Sequence, residues 1–322
     1  MAFRKPVTQK VGGKFLIYGK TFEGKSWFGL TFPKIAAIDS EAGLAFEEGR
    51  DIEINGRKYN NLVLVDTTSD LDTLEENLDA ILDGEVDCET LLIDSETKFY
   101  NTMDIGATEV EERKAKLAGK NLDARSKWGR IKNINMKLQQ AKITLSAKGK
   151  HVVSTAQANE IKDEDTQKVI GYKADVHKSL PFDYDTVLRF YTEEDKKIKE
   201  RKYFAEVIKD RTHVTKKGDI IENCTYDIWR KFFEDREKTG VSSTANYSND
   251  LDKSVDGVLN KAEQSDKIAE EIKELIKGFK GHADVQKNIK DKIDELKIDI
   301  KSLNLTQPEL LEVLLKHIKT LK

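Results

Sequence analysis

The chain has 322 residues, of which 38% are apolar and 35% are charged, and its formal net charge is −3. This composition supports one substantial core with charged surfaces, and the length fits one large domain or two modest ones. Because no apolar run approaches the roughly 20 residues that span a bilayer, and because the first ten residues lack the apolar stretch of a signal peptide, we expect a cytosolic protein without membrane contact.

The first predicted element is a short buried strand over Lys14–Gly19, followed by a loop and by a helix that ends near Pro33. The loop contains two glycines, a lysine and a serine at the spacing G-x-x-x-x-G-K-S. These residues are Gly19, Gly24, Lys25 and Ser26. This spacing between a strand and a helix is typical of a phosphate-binding loop. The alternative is a surface turn that happens to contain glycine.

Each residue type in this loop has a physical role in holding phosphates. Glycines let backbone N–H groups turn toward a phosphate, and the N-terminus of the following helix adds a favourable dipole. Lys25 would reach the β- and γ-phosphates of ATP, and the Ser26 hydroxyl would bind Mg²⁺. We therefore predict ATP and Mg²⁺ as ligands. The predicted nucleotide-binding residues are Gly19, Lys20, Thr21, Phe22, Glu23, Gly24, Lys25, Ser26 and Trp27.

The next predicted elements are strands and one capped helix. "KIAAIDSEAG" reads as a second buried strand with an acidic end. The Asn55-Gly56 pair lies between alternating segments and predicts a two-residue hairpin. Ser69 is expected to cap a helix that Gly84 ends, and the run from Cys88 to Thr97 is expected to be a central strand.

Acidic or amide side chains follow three of the predicted strands. Asp39 and Glu41 follow the second strand, Asp94 ends the strand in "LLID", and Gln157 ends a later strand in "HVVSTAQ". Because parallel α/β sheets bind ligands at the carboxyl ends of their strands, we expect these side chains to converge on one nucleotide. Asp94 would assist Mg²⁺, and Asp39, Glu41 or both would position the attacking water. Gln157 would sense the γ-phosphate. The alternative for each is a polar strand end without a role in catalysis.

Charge is distributed unevenly along the chain. Residues 39–112 contain 22 acidic and 4 basic side chains, whereas residues 113–150 contain 12 basic side chains and one acidic side chain. A local net charge of +11 attracts phosphates. The polar stretch from Phe99 to Ala124 predicts irregular structure, and the apolar spacing from Trp128 to Ile143 predicts a helix.

The basic segment combines cations with one flat aromatic side chain. A single-stranded DNA site needs cations that follow the backbone and an aromatic ring on which a base stacks. The predicted DNA-binding residues are Arg125, Lys127, Trp128, Arg130 and Lys132. The alternative for Trp128 is that its ring seals the helix against the sheet.

Residues 151–210 contain further predicted strands, so strands alternate with helices along the chain. This order implies an α/β fold with a mostly parallel central sheet. Residues 239–261 are rich in Ser, Thr, Asn and Gly and predict a flexible linker. Residues 262–322 predict three amphipathic helices, the last capped by Thr306. We therefore expect a core (1–238), a linker (239–261) and a small all-helical C-terminal domain (262–322).

The order of these motifs resembles the RecA-type core of P-loop ATPases: a phosphate loop, then strands ending in "IDSE", in "LLID" and in Gln. Over about residues 10–235 the chain is more closely similar to RecA-like single-strand annealing proteins of bacteriophages. The segments that carry this similarity are "KFLIYGKTFEGKS", "LLIDS" and "ADVHKSLPFDYDTVLRF". The resemblance implies that Glu41 activates water, that Asp94 is associated with Mg²⁺ and that Gln157 couples the γ-phosphate to a DNA-binding loop.

The resemblance also implies two DNA-binding loops, at about Phe99–Arg130 and Ala158–Lys178. It implies a cation that acts on a neighbouring subunit, for which Lys173 and Lys178 are the candidates. The implied activity is that of a DNA-stimulated ATP hydrolase that binds single-stranded DNA and promotes annealing or homologous recombination of phage DNA. Such a protein would assemble as a ring or filament in the cytoplasm of a bacterial host. The chain departs from the pattern at Phe22 and Glu23, where small residues are common.

Two other functions fit the same residues. One is a hexameric helicase or packaging motor, and the other is a nucleotide-gated loader or regulator with little turnover. The C-terminal helices contain no Trp or Tyr and have balanced charge, which disfavours direct DNA binding. We expect them to dock a single-strand-binding protein or another replication protein.

Overall fold

The computed structural model describes residues 3, 5–119, 121, 124–195 and 200–321. The chain forms two compact units, Met1–Ser248 and Asn249–Lys322. The first unit is α/β, and the second is helical. No described helix combines the length and the apolarity that crossing a bilayer requires.

Strands form the centre of the first unit. They are β1 (Gln9–Lys10), β2 (Lys14–Gly19), β3 (Ile35–Asp39), β4 (Ile52–Ile54), β5 (Arg57–Tyr59), β6 (Leu62–Asp66), β7 (Thr90–Asp94), β8 (His151–Lys162), β9 (Val169–Ala174), β10 (Thr186–Asp195), β11 (Glu200–Asp210), β12 (Ile220–Glu222) and β13 (Val241–Ser242). The main sheet has the order β12-β11-β10-β2-β8-β7-β3-β6, with β9 paired to β8. Neighbours from β10 to β6 run parallel, and β11 and β12 are antiparallel additions. The predicted mostly parallel sheet is confirmed.

Helices cover both faces of this sheet. In the first unit they are α1 (Lys25–Gly29), α2 (Leu71–Asp83), α3 (Glu96–Ala118), α4 (Ala124–Ala147), α5 (Leu180–Asp183) and α6 (Asp227–Thr239). Leu91 and Ile93 of β7 pack in a core with α2, α3 and α4, whereas Leu92 packs in a core with Phe28 of α1 and Trp229 of α6. Successive strand residues point to opposite faces of a sheet, so the burial of all three residues means that both faces of the sheet are covered. This explains the continuous apolar runs in the sequence.

The register of the sheet brings the polar strand ends together. Gly19 at the end of β2 lies opposite Gln157 of β8, and Asp39 at the end of β3 lies opposite Asp94 at the end of β7. The carboxyl ends of β2, β3 and β7 therefore meet at one edge, beside the helix that follows the phosphate loop.

Several turns and helix ends lie within one residue of the positions that local sequence signals predict. Asn55 and Gly56 form the β4–β5 hairpin turn with φ angles of 54° and 75°, as predicted. Gly84 ends α2 at a φ of 82°, also as predicted. The N-cap of α2 is Asp70 instead of Ser69, because the Asp70 carboxylate accepts a hydrogen bond from the backbone N–H three residues on, at 2.8 Å.

The two segments expected to be DNA-binding loops have regular structure in the described residues. Helix α3 covers most of the stretch that was expected to be irregular, because Phe99, Met103 and Ala107 are buried at helical spacing and anchor it. Residues 120, 122 and 123 of this stretch lie outside the described residues. Most of Ala158–Lys178 is an antiparallel hairpin, in which β8 continues beyond the sheet and pairs with β9.

The second unit has its own apolar core. Its helices are α7 (Tyr247–Gly278), which begins at the end of the first unit, α8 (Ala283–Glu295) and α9 (Pro308–Lys319). Helix α7 starts before Ala262, so residues 247–261 of the expected linker are helical. The apolar spacing of Leu251, Val255 and Val258 continues the helical pattern. The N-cap of α9 is Gln307 instead of Thr306. The core of the second unit contains Ala269, Ile272, Ile289, Ile293, Leu303, Leu311, Leu314 and Ile318.

Candidate nucleotide-binding site

The phosphate loop connects β2 to α1 and needs its two glycines. A Cβ at Gly19 would lie 2.7 Å from the carbonyl oxygen of Phe190, which is closer than a side chain can approach. Gly24 has a φ of 90°, in the left-handed region that glycine adopts without strain. Phe22 also has a positive φ, of 63°. The loop therefore turns tightly, and the N-terminus of α1 follows it directly.

Lys25, the first residue of α1, folds back over this loop. Its Nζ donates a hydrogen bond to the carbonyl oxygen of Lys20 at 2.7 Å. Burial lowers the pKa of Lys25, while the carboxylates of Asp94, Glu23 and Glu41 act in the opposite direction. The ammonium thus lies where a phosphate in the loop would meet it.

Glu23 and Lys20 make contacts that the motif alone does not predict. The Glu23 carboxylate accepts a hydrogen bond from the backbone N–H of Lys20, so the loop is closed by one of its own side chains. The Lys20 ammonium points away from Lys25 and lies 3.1 Å from a carboxylate oxygen of Glu160 on β8. Lys20 therefore contributes its backbone to the loop, while its charge is directed to the hairpin.

Asp94 at the end of β7 lies next to Ser26. The Ser26 hydroxyl donates to one carboxylate oxygen of Asp94 at 2.6 Å, and the Thr155 hydroxyl of β8 donates to the other. Burial raises the pKa of Asp94, and the hydrogen bonds from Ser26 and Thr155 oppose this rise. Asp39 and Glu41 add to the rise through their charge. A cation near Ser26 would relieve this concentration of negative charge.

The two carboxylates after β3 have different surroundings. Asp39 is buried, and its carboxylate accepts hydrogen bonds from the backbone N–H groups of Glu41, Gly43 and Leu44 at 3.1, 3.2 and 2.8 Å. Asp39 therefore holds the loop that follows the strand. Glu41 is exposed and is oriented by the Ser95 hydroxyl at 2.8 Å and by the Gln157 amide at 3.4 Å.

A cleft of about 380 Å³ lies at this edge of the sheet. It brings together seven consecutive residues of the loop region, Thr21 to Trp27, with Glu41, Asp94 and Gln157. The sequence had pointed to none of the remaining lining residues, which are Gly43, Glu47, Ser95 and Tyr203. Ser95 follows Asp94 directly, and the motif "IDSE" at residues 93–96 repeats the one at residues 38–41, which could have pointed to it. No local signal marks Tyr203 in β11.

The predicted DNA-binding residues lie in the first turns of α4. Trp128 is 51% exposed, so its ring does not seal the helix against the sheet. The Lys127 ammonium lies 3.0 Å from a carboxylate oxygen of Asp104, and Arg130 lies 3.3 Å from Glu111. Both acids belong to α3. Carboxylates of the neighbouring helix therefore offset part of the positive charge that the sequence suggested.

A groove of about 860 Å³ runs beside Trp128. It is bordered by α4 and by the segment from β9 to α5, and Lys132, Lys173 and Lys178 line it together with Tyr100. We call this the Trp128 groove. Two residues expected to act on a neighbouring subunit thus share one surface with two residues expected to bind DNA.

Residues 12–218 match a family model described as "AAA domain". This span is about two thirds of the chain and contains the whole nucleotide cleft. The chain belongs to the AAA domain family. The AAA domain has an α/β fold with a mostly parallel central sheet, and a helical unit follows it in the chain. Membership of this family indicates a nucleotide-binding ATPase.

Among solved structures, the AAA domain chain is similar to the flagellar accessory protein FlaH from Methanocaldococcus jannaschii. The identity is 13%, the TM-score is 0.36, and the match covers 66% of this chain and 85% of that chain. It is also similar to a KaiC-like protein from Pyrococcus horikoshii, with 16% identity, a TM-score of 0.37 and coverage of 66% and 84%. No curated protein sequence matches the chain.

Proposed function

We propose that this AAA domain protein hydrolyses ATP in the cleft at the carboxyl ends of β2, β3 and β7. The observation that carries the proposal is the convergence of Lys25, Asp94 and Glu41 on one cleft, although they are far apart in sequence. Lys25 holds the β- and γ-phosphates, and Glu41 orients a water molecule and accepts its proton as the terminal phosphate is transferred. Gln157, hydrogen-bonded to Glu41, responds to the γ-phosphate. Lys25→Ala, by its ATP affinity, and Glu41→Gln, by its turnover, test this assignment.

The residues of the cleft fit Mg²⁺. This ion takes oxygen ligands and is usually held by one or two protein groups, with the rest supplied by water and phosphate. Ser26 and Asp94 provide a hydroxyl and a carboxylate 2.6 Å apart, in a place where the charges of Asp39 and Glu41 raise the pKa of Asp94. Mg²⁺ would offset the charge of the phosphates there.

We propose single-stranded DNA as the partner, bound in the Trp128 groove. The groove combines an exposed indole with three lysines, which suits a stacked base and a phosphate backbone. It adjoins the base of the β8–β9 hairpin, and β8 also carries Gln157. A change at the γ-phosphate therefore has a short path to the DNA. We therefore propose a DNA-stimulated ATPase. The resemblance to phage single-strand annealing proteins adds the proposals that it promotes annealing or recombination of phage DNA and that it assembles as an oligomer.

Replacing Lys132, Lys173 and Lys178 together by alanine should weaken single-stranded DNA binding and flatten its salt dependence. Each lost phosphate contact removes about 0.7 from the slope of log K against log salt, so the slope should fall by about 2. Fluorescence anisotropy of a labelled oligonucleotide at several salt concentrations measures this slope.

The matched comparison is the double replacement of Lys127 and Arg130 by alanine. Because both side chains are already paired with Asp104 and Glu111, their loss should change the slope less than the groove variant does. A larger change in the double variant would place the DNA on the outer face of α4. If Lys173 or Lys178 acts on a neighbouring subunit, its single replacement should also lower turnover when DNA is saturating.

We propose that the C-terminal unit docks a single-strand-binding protein or another replication protein. The unit leaves Leu305, Leu310 and Val313 exposed outside its apolar core. A chain that ends at Ser248 should keep ATP hydrolysis and DNA binding close to those of the full chain, since the unit boundary lies there. Steady-state ATPase assays measure the first, and pull-down with a host single-strand-binding protein measures the docking. Aggregation or loss of ATPase in the shortened chain would contradict the proposal.

A further inference from the structure

A second cleft of about 310 Å³ lies next to the nucleotide cleft. The two share Gly24, Trp27 and Tyr203 and therefore meet at the phosphate loop. The second cleft extends from there toward the β4–β5 hairpin, where Asn55 lies, and toward the turn at Asn223. Lys25 and Ser26, which are assigned to phosphate and Mg²⁺, line only the first cleft.

The position of the phosphates fixes the direction in which the rest of a nucleotide must extend. Asp94, Glu41 and Gln157 line only the first cleft, so the γ-phosphate and the attacking water belong there. The base is at the opposite end of the molecule from the γ-phosphate. It must therefore leave the loop on the side away from these residues, and the second cleft opens on the loop at Gly24 and Trp27.

Two aromatic side chains border this opening. Trp27 follows Ser26 directly in α1, is 44% exposed, and its indole N–H donates to Glu47 at 3.2 Å, which fixes the orientation of the ring. Tyr203 lies on strand β11. Its ring carbon Cδ1 is only 3.3 Å from the position that a Cβ on Gly24 would occupy. The ring edges are thus held against the phosphate loop.

We propose that Trp27 and Tyr203 form the binding site for the base of the nucleoside triphosphate. The inference rests on the proposed nucleotide cleft and adds to it the part of the site that recognises the nucleoside. Flat aromatic rings bind bases by stacking, and every base has a face that can stack. Asn55 and Asn223 supply polar groups at the far end of the cleft.

The test compares ATP with inorganic tripolyphosphate, which has the phosphate chain but no base. Both are titrated with Mg²⁺ by calorimetry into the full chain and into Trp27→Leu and Tyr203→Leu. Loss of one stacking ring should weaken ATP binding about five- to hundredfold. Tripolyphosphate affinity should not change. Trp27→Phe and Tyr203→Phe keep a ring and should recover most of the ATP affinity.

The control is Phe46→Leu, which removes a 76% exposed aromatic ring that borders neither cleft and should leave both affinities unchanged. Equal losses for ATP and tripolyphosphate in the leucine variants would overturn the inference, because the rings would then only support the loop. Unchanged ATP affinity would overturn it as well. If the unaltered chain binds neither ligand, the proposed nucleotide cleft itself fails.

Discussion

Replacing Lys25 by alanine should abolish most ATP binding while the fold stays intact. The Lys25 ammonium is the cation that lies over the phosphate loop, and three carboxylates, those of Asp94, Glu23 and Glu41, surround it. Without it, the phosphates of ATP would face uncompensated negative charge. Truncating one partner of such a partly buried charge pair costs about 2–5 kcal/mol, or roughly thirty- to several-thousandfold in Kd. Calorimetric titration with ATP and Mg²⁺ measures the change.

Lys20→Ala is the matched control, because it removes a lysine from the same loop. The Lys20 ammonium is directed to Glu160 at 3.1 Å and not to the loop interior, so its loss should weaken ATP binding far less. Lys25 is only half-buried at the start of α1, and we expect the melting temperature of Lys25→Ala to stay near that of the unaltered chain. Normal ATP affinity in Lys25→Ala would mean that the loop does not bind phosphates.

Glu41→Gln should bind ATP but hydrolyse it about 10²- to 10⁴-fold more slowly, because a general base is lost while the phosphate loop remains. Glutamine has the same shape and can still accept the hydrogen bond from the Ser95 hydroxyl, so the loop after β3 should be preserved. Steady-state phosphate release gives kcat, and titration with ATP gives the affinity in parallel.

Glu47→Gln separates the role of Glu41 from a general effect of charge in the cleft. Glu47 lines the same cleft, but it accepts a hydrogen bond from Trp27 and does not contact Gln157. Its replacement should leave kcat nearly unchanged. If Glu41→Gln also retains full turnover, Glu41 is not the base. If the unaltered chain binds ATP without turnover, the chain is a nucleotide-gated binding module and not a hydrolase.

The sequence predicted the phosphate loop and the strand ends because their signals are local. Glycine spacing, a strand before the loop and a helix after it define the cradle within a few residues, and the Asn55-Gly56 hairpin is defined in the same way. Local signals could not decide whether Asp39 or Glu41 positions the attacking water. The answer depends on which carboxylate the backbone N–H groups surround, and these N–H groups become available only when the loop after β3 has folded.

The prediction failed where long-range packing decides the structure. Helix α3 contains Gly106 and many polar residues, so its sequence resembles a loop, but a narrow stripe through Phe99, Met103 and Ala107 is enough to bury it. Once α3 packs beside α4, Asp104 and Glu111 reach Lys127 and Arg130. The net charge of a segment could not reveal that part of it is neutralised by the helix before it. Tyr203 was missed for the same reason, since it reaches the loop from β11.

Strand β8 runs without interruption from His151 to Lys162 and leaves the sheet after Gln157. The outer half of β8 therefore projects from Gln157, the residue that is hydrogen-bonded to Glu41. At about 3.3 Å per residue, Lys162 lies about 17 Å along the strand from Gln157. If the strand tilted by about 10° at Gln157, Lys162 would move by about 3 Å, which is about the length of a hydrogen bond. A tilt of this size would be large enough to make or break a hydrogen bond at the far end of the hairpin.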